Sequence, residues 1–213
     1  MGLTIHYTIG ANTQEQVVKG LEELRSHCLK TGFEEVGKVH VKEITEKVLD
    51  KFWKMQEACS YPNNSVENLN KRDSLVRKMG FDTWELIMSR NNVGPMISLS
   101  LWPGEGCESC DIMFFTDDSY SFWKNKYIAK GFCKTEYAEE FEKCHLLVCD
   151  MLEKMDEMGF RVKVNDEGDY FKTKDIKSLA RAKNISEDVI KSVAKQLRQA
   201  FGEEEIVTAV DIG

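Results

Sequence analysis

Leu3, Ile5, Tyr7 and Ile9 alternate with polar residues, and from Val17 onward the apolar spacing changes to three and four, through Leu21, Leu24 and Cys28. A period of two marks a strand with one buried face, and a spacing of three to four marks a helix with one buried face. Thr13-Gln14-Glu15-Gln16 stands between them in the form of a capping box, a hydroxyl cap followed three residues later by an amide side chain. Gly32 is placed to close the helix, because it adopts positive φ at low cost. Val36, Val39 and Val41 then predict a second strand. The chain therefore opens strand–helix–strand, for which a right-handed parallel crossover is the default geometry.

A comparable pattern returns after residue 95. Met96 to Trp102 predicts a strand, Pro103-Gly104-Glu105-Gly106 a turn, and Asp111 to Phe115 the returning strand of a hairpin. Gly131 to Tyr137 predicts another short strand. Glu139 to Met158 is the clearest helix, with Phe141, His145, Val148, Leu152 and Met155 on one stripe and Gly159 at its end. Phe160 to Val164 predicts a strand, Asn165 to Asp169 a turn, and Tyr170-Phe171 a short return. Residues 43–94 read as an insertion. Val48, Leu49, Phe52 and Trp53 look helical, Tyr61 to Ser65 forms a loop, and Leu75 to Met88 fits helix or strand. Near the end, Asp175 caps a helix through Arg181, Ser186 caps a second, and Glu205 to Val210 predicts a last strand. With three prolines and no Ser/Gly-rich linker, residues 1–213 form one domain. The expected fold is α/β or α+β. It has a mixed sheet with helices mainly on one face, two β-α-β-like halves (3–42 and 95–164) and a C-terminal helical hairpin over 174–201.

The net charge of −7 argues against broad binding to nucleic acid or anionic membranes, which reward excess Lys and Arg. The Lys172 to Arg198 segment departs from this balance, with eight basic residues against three acidic. It aligns with a helix-turn-helix whose turn is Asn184-Ile185-Ser186. However, Glu187 and Asp188 occupy the first turn of the would-be recognition helix, where phosphates and bases are met. No run of 18 apolar residues occurs, so no membrane span is expected. The N-terminus lacks the pattern of an export signal, so the seven cysteines read as reduced thiols and the expected location is cytoplasmic.

Several positions carry groups able to do chemistry. Cys107 and Cys110 form the single C-x-x-C, a spacing that grips zinc or forms a redox pair; zinc would need two further ligands. More often such a pair is two loop cysteines. His145 follows Cys144 on the long helix, but adjacent helical residues point about 100° apart and cannot serve one another as nucleophile and base. A buried, hydrogen-bonded structural histidine is the plainer reading of His145. His6 lies on the first strand, on the face opposite Tyr7. Lys134 and Glu136 share a strand face and can pair, with Tyr137 beside them. Asp166 and Glu167 lie in an acidic turn that lacks EF-hand spacing.

The segments Leu3-Thr4-Ile5-His6-Tyr7, Gly131-Phe132-Cys133-Lys134-Thr135-Glu136-Tyr137, His145-Leu146 and Val164-Asn165-Asp166-Glu167-Gly168-Asp169-Tyr170 together resemble a family of uncharacterised prokaryotic proteins. That family has no established activity, so the resemblance implies no catalytic role. It directs attention to His6, Lys134, Glu136, Tyr137, His145, Asp166 and Glu167, and it leaves Cys107 and Cys110 outside.

No P-loop, dinucleotide fingerprint, G-x-S-x-G or H-E-x-x-H is present. The leading expectation is therefore an intracellular protein that binds a small polar ligand or a protein partner, with no evident cofactor beyond zinc at the cysteines. One alternative is an enzyme of hydrolytic type, with the His, Lys, Glu and Asp residues above around one cleft. Another is a DNA-associated regulator acting through 174–201. Enzyme or not, ligand and oligomeric state are all left open by the sequence.

Overall fold

A computed structural model describes residues 3–59, 65–89, 92–116 and 126–201. Of the loop expected at 61–65 all but Ser65, which caps the next helix, lies outside the described residues, as does the strand expected at 205–210. The chain is α+β, as its patterning predicts. β1 (Thr4–Ala11) leads into α1 (Gln14–Thr31), and β2 (Glu35–Val36) and β3 (His40–Ile44) follow. Next come α2 (Glu46–Ala58), α3 (Val66–Lys78) and α4 (Thr83–Ser89). β4 (Gly94–Trp102), β5 (Cys110–Thr116) and β6 (Tyr127–Lys134) precede α5 (Phe141–Glu157), and β7 (Arg161–Asp166), α6 (Tyr170–Thr173) and α7 (Ile176–Phe201) complete the chain.

The strands form one sheet in the order β2-β4-β5-β6-β1-β7, with β3 also on β4. Every ladder among the described residues is antiparallel, so the sheet is not mixed. The two β-α-β halves exist in split form. β1 and β3 run parallel with β6, β5 and β4 between them, and β6 and β7 run parallel with β1 between them. β2 and β3 make one edge strand broken by an extra residue. Val36 faces Leu101 and His40 faces Ser98, so three residues on the edge oppose two on β4. Gly37 lies at this bulge, where a Cβ would come within 2.9 Å of the Ser100 carbonyl.

The Thr13 cap of α1 is present, and the return bond from Gln16 reaches one residue beyond the cap. Gln16 N–H donates to Thr13 Oγ1 at 3.1 Å, and the Gln16 side chain accepts from Asn12 N–H at 3.0 Å. Gly32 closes the helix at φ +101° and Gly159 follows α5 at φ +81°. α1 and α5 cover one sheet face. Their Leu21, Leu24, Val148 and Leu152 pack with Ile5, Ile9, Ile97, Leu99, Ile112 and Phe114 in the main core.

The insertion is where the expected one-sided layering gives way. Alternate residues of the same strands, Met96, Met113 and Phe115, join Ile44, Leu49, Phe52, Val76, Phe81 and Leu86 in a second core. Helices α2–α4 thus cover the opposite face over β3, β4 and β5.

At the C-terminal end the helical pair is α6 with α7, and α7 runs unbroken through residues 184–186. The turn expected there is absent, and both local and distant contacts hold the helix straight through. No Gly or Pro occurs between 169 and 201, and the Ser186 hydroxyl donates to Glu136. Glu187 faces Lys183 at 3.9 Å and Lys191 at 3.7 Å, one helical turn to either side. Tyr170-Phe171 starts the short helix α6 rather than a strand. No helix among the described residues is long and apolar enough to cross a membrane.

Candidate functional site

The seven residues singled out for chemistry gather at one end of β1, β6 and β7, in two shells. The inner shell is buried. His145 projects from α5 with its Nδ1 2.9 Å from Thr135 Oγ1 and its Nε2 3.1 Å from Asp166 Oδ1. Asp166 also accepts the Gly168 N–H at 2.7 Å and the Phe171 N–H at 2.8 Å. Burial pushes its carboxyl up, but contact with His145 and those two amides outweighs burial and holds it below the ordinary carboxylate range.

The outer shell is more open. Glu167 accepts the Thr4 N–H at 2.9 Å and lies 3.8 Å from His6 Nε2. Lys134 Nζ lies 4.5 Å above the Tyr137 ring and 4.0 Å from Glu136 Oε2. Of the Lys134–Glu136 pair it is Glu136 that is buried. Its Oε1 accepts from Ser186, while Oε2 has no hydrogen-bond partner. His6 faces away from Tyr7, as strand periodicity requires. His145 is fully buried, out of reach of a ligand that stays at the surface.

The C-x-x-C residues diverge. Cys110 points into the main core, its Sγ 3.5 Å from the Tyr7 hydroxyl and 3.8 Å from Met151 Sδ. Cys107 turns toward Cys144. Burial pushes the Cys107 thiol up, with Cys144 adding to it, and in Cys133 the contact with Cys110 and burial act in the same direction. These are protonated thiols with little nucleophilic character. Among the described residues, Cys107 and Cys110 are not brought together with a third ligand. The group that does converge is His145, Cys149 and Asp166.

An opening that sequence reasoning missed lies on the sheet face toward α4. A concavity of 460 Å³ runs between α4 and the sheet, lined by Asp82, Trp84, Glu108, Asp111, Lys130 and Phe132. A second of 300 Å³ shares Asp82, Trp84, Asp111 and Met113 with it and extends to His40, Lys42, Glu85, Ser98 and Ser100. The two form one groove. None of the seven residues above lines it.

The roof of the groove is built by a capping box that the sequence carries in plain form. In Asp82-Thr83-Trp84-Glu85, the Glu85 N–H donates to Asp82 Oδ1 at 2.7 Å and the Asp82 N–H donates to Glu85 Oε2 at 3.0 Å. Lys42 on β3 reaches both Glu85 oxygens at 2.7 Å, which ties the roof to the sheet edge. On the floor, Asp111 accepts from Ser100 and from Ser109. Trp84 and Phe132 remain 45% and 44% exposed, which is high for aromatic side chains beside a groove.

Comparison with known proteins finds no matching family model, no matching curated protein and no matching solved structure. The α+β fold with a groove under α4 therefore stands on its own geometry.

Proposed function

We propose that the protein binds a small polar ligand in the groove between α4 and the sheet. The observation that carries this reading is the combination of volume and lining. At 460 and 300 Å³, the joined concavities match the size of small-molecule sites, about 300–1,000 Å³. Two exposed aromatic side chains stand beside a floor of hydroxyls and carboxylates. Lys42 and Glu85 neutralise each other, so the remaining lining sets Asp82, Glu108 and Asp111 against Lys130, an acidic balance with His40 at one end. Such a lining favours a ligand with hydroxyl or amino donors and a flat or apolar portion against Trp84 and Phe132.

The test is ligand-observed NMR with a panel of small polyols, amines, carboxylates and phosphates, repeated on Trp84→Ala. Saturation transfer to a hydroxyl- or amine-bearing compound that disappears in Trp84→Ala supports the reading. A hit unaffected by Trp84→Ala, or no hit across the panel, refutes it.

A further inference from the structure

We propose that His145, Cys149 and Asp166 form a three-ligand site for a zinc-like divalent cation, on the opposite side of the sheet from the groove. The ligand atoms of the three lie within 4.8 Å of one another. His145 and Cys149 are four residues apart on α5, so both side chains leave the same helix face. β7 brings Asp166 to that face. A nitrogen, a sulfur and a carboxylate oxygen are a donor set suited to zinc.

The hydrogen bonds around His145 point the same way. The Thr135 hydroxyl donates to the Leu3 carbonyl, at 3.4 Å, so its oxygen is left to accept from His145 Nδ1–H, at 2.9 Å. A neutral imidazole with its proton on Nδ1 presents a bare lone pair at Nε2. That lone pair lies 3.1 Å from a carboxylate oxygen held by two backbone amides. Two lone pairs so placed repel one another, and a positive charge between them is required. A proton on Nε2 would supply it along a straight N–H···O line, yet the Nε2 geometry fails that line and the atom has no hydrogen-bond partner although it is buried. A cation bound to Nε2, Oδ1 and the Cys149 sulfur satisfies all three groups at once.

The charge balance also suits a buried position. On binding, the Cys149 thiol releases its proton to solvent. The thiolate and the Asp166 carboxylate then offset the two positive charges of the ion, leaving a neutral site. Thr135 and the Gly168 and Phe171 amides hold the imidazole and carboxylate from behind, as outer partners do in metal sites. The ion would tie α5 to β7 and to the turn that leads into α6.

The experiment uses the full-length protein, stripped with a chelator and titrated with Co²⁺. Expected is a near-ultraviolet thiolate-to-cobalt band saturating at about one equivalent per chain. It should be lost in Cys149→Ser and kept in Cys107→Ser, and adding Zn²⁺ to stripped wild-type protein should raise its melting temperature. Absence of the band in the wild type overturns the proposal. A band lost in Cys107→Ser but kept in Cys149→Ser also overturns it, placing the metal at the C-x-x-C. The wild-type titration decides even if a variant fails to fold.

Discussion

Replacing Lys42 with methionine separates the charge that holds α4 to the sheet from the apolar packing around it. Lys42 Nζ contacts both Glu85 oxygens at 2.7 Å and lies 5.5 Å from the centre of the Phe81 ring. Methionine keeps much of the aliphatic stem but removes the charge, and Glu85, only 6% exposed, is left without its cation. Breaking a fully buried ion pair costs about 3–5 kcal/mol, and an exposed pair contributes about 0.2–1 kcal/mol. The Lys42 side chain is 27% exposed and that of Glu85 8%, so the cost should fall between these limits, at about 2 kcal/mol.

For a domain of this size that is a fall of roughly 4–8 °C in melting temperature. Urea unfolding should show a lower midpoint with an unchanged slope. Glu85→Gln keeps the cap to Asp82 N–H and removes the opposite charge. The double variant Lys42→Met/Glu85→Gln should therefore lose less than the two single losses added, with a coupling above about 1 kcal/mol. Simple additivity would refute the reasoning and turn Lys42 into an ordinary surface lysine. Because the pair also fixes the roof of the groove, Lys42→Met should weaken any ligand that depends on Trp84.

Gly131→Ala should destabilise by about 1–3 kcal/mol in urea unfolding, because its Cβ would meet Tyr7 Oη at 2.4 Å while that hydroxyl is held by the Asp111 carbonyl at 2.9 Å. The loss should shrink in a Tyr7→Leu background, and an equal loss there would contradict the contact. Stability should also fall in alkali. Burial, with the nearby Cys110 and Asp150, pushes the Cys28 thiol from 9.0 up to about 12, and burial with Cys110 pushes the Tyr7 hydroxyl up as well. Both groups hold their protons more tightly folded than unfolded. Their contribution is therefore full below the unfolded values and is lost as pH rises toward about 12. A melting temperature flat across that range, or labelling of native Cys28 by a thiol reagent at a free-thiol rate, would count against it.

Periodicity made the main core legible. The alternation from Leu3 to Ile9 and the stripe from Phe141 to Met155 place β1 and α5 because each buries one face against the other. Strand pairing was not legible in the same way. The opening β-α-β reads as a simple crossover, yet β1 and β3 are parted by three strands, and nothing local in the chain records which strands come between. The polar cluster was found because strand and turn signals placed Lys134, Glu136, Asp166 and Glu167 near element ends. A buried His145 was expected and is found, but the burial of Glu136 was not, since Ser186 from a helix fifty residues away lies against it. The groove was missed because residues 75–88 fit two periods. The Asp82-x-x-Glu85 box would have settled α4 as a helix.

The two sheet faces differ in a way that bears on where a ligand can act. Toward α1 and α5, β4 and β5 present Ile97, Leu99, Leu101, Ile112 and Phe114, and the helices fill the space completely with apolar side chains. Toward α2–α4, the same strands are apolar at Met96, Met113 and Phe115 at one end of the pair and polar at Ser98, Ser100 and Asp111 toward the other. A polar group under a helix costs free energy unless a partner satisfies it. Ser100, Ser109 and Asp111 meet part of that need among themselves, which holds the carboxylate in place. A floor already ordered in this way loses little further entropy when a ligand binds. Filling the polar half with apolar residues would close the sheet as tightly as its other face. The chain instead keeps polar side chains there and roofs them with a helix capped by Asp82 and Glu85 and anchored to the sheet by Lys42.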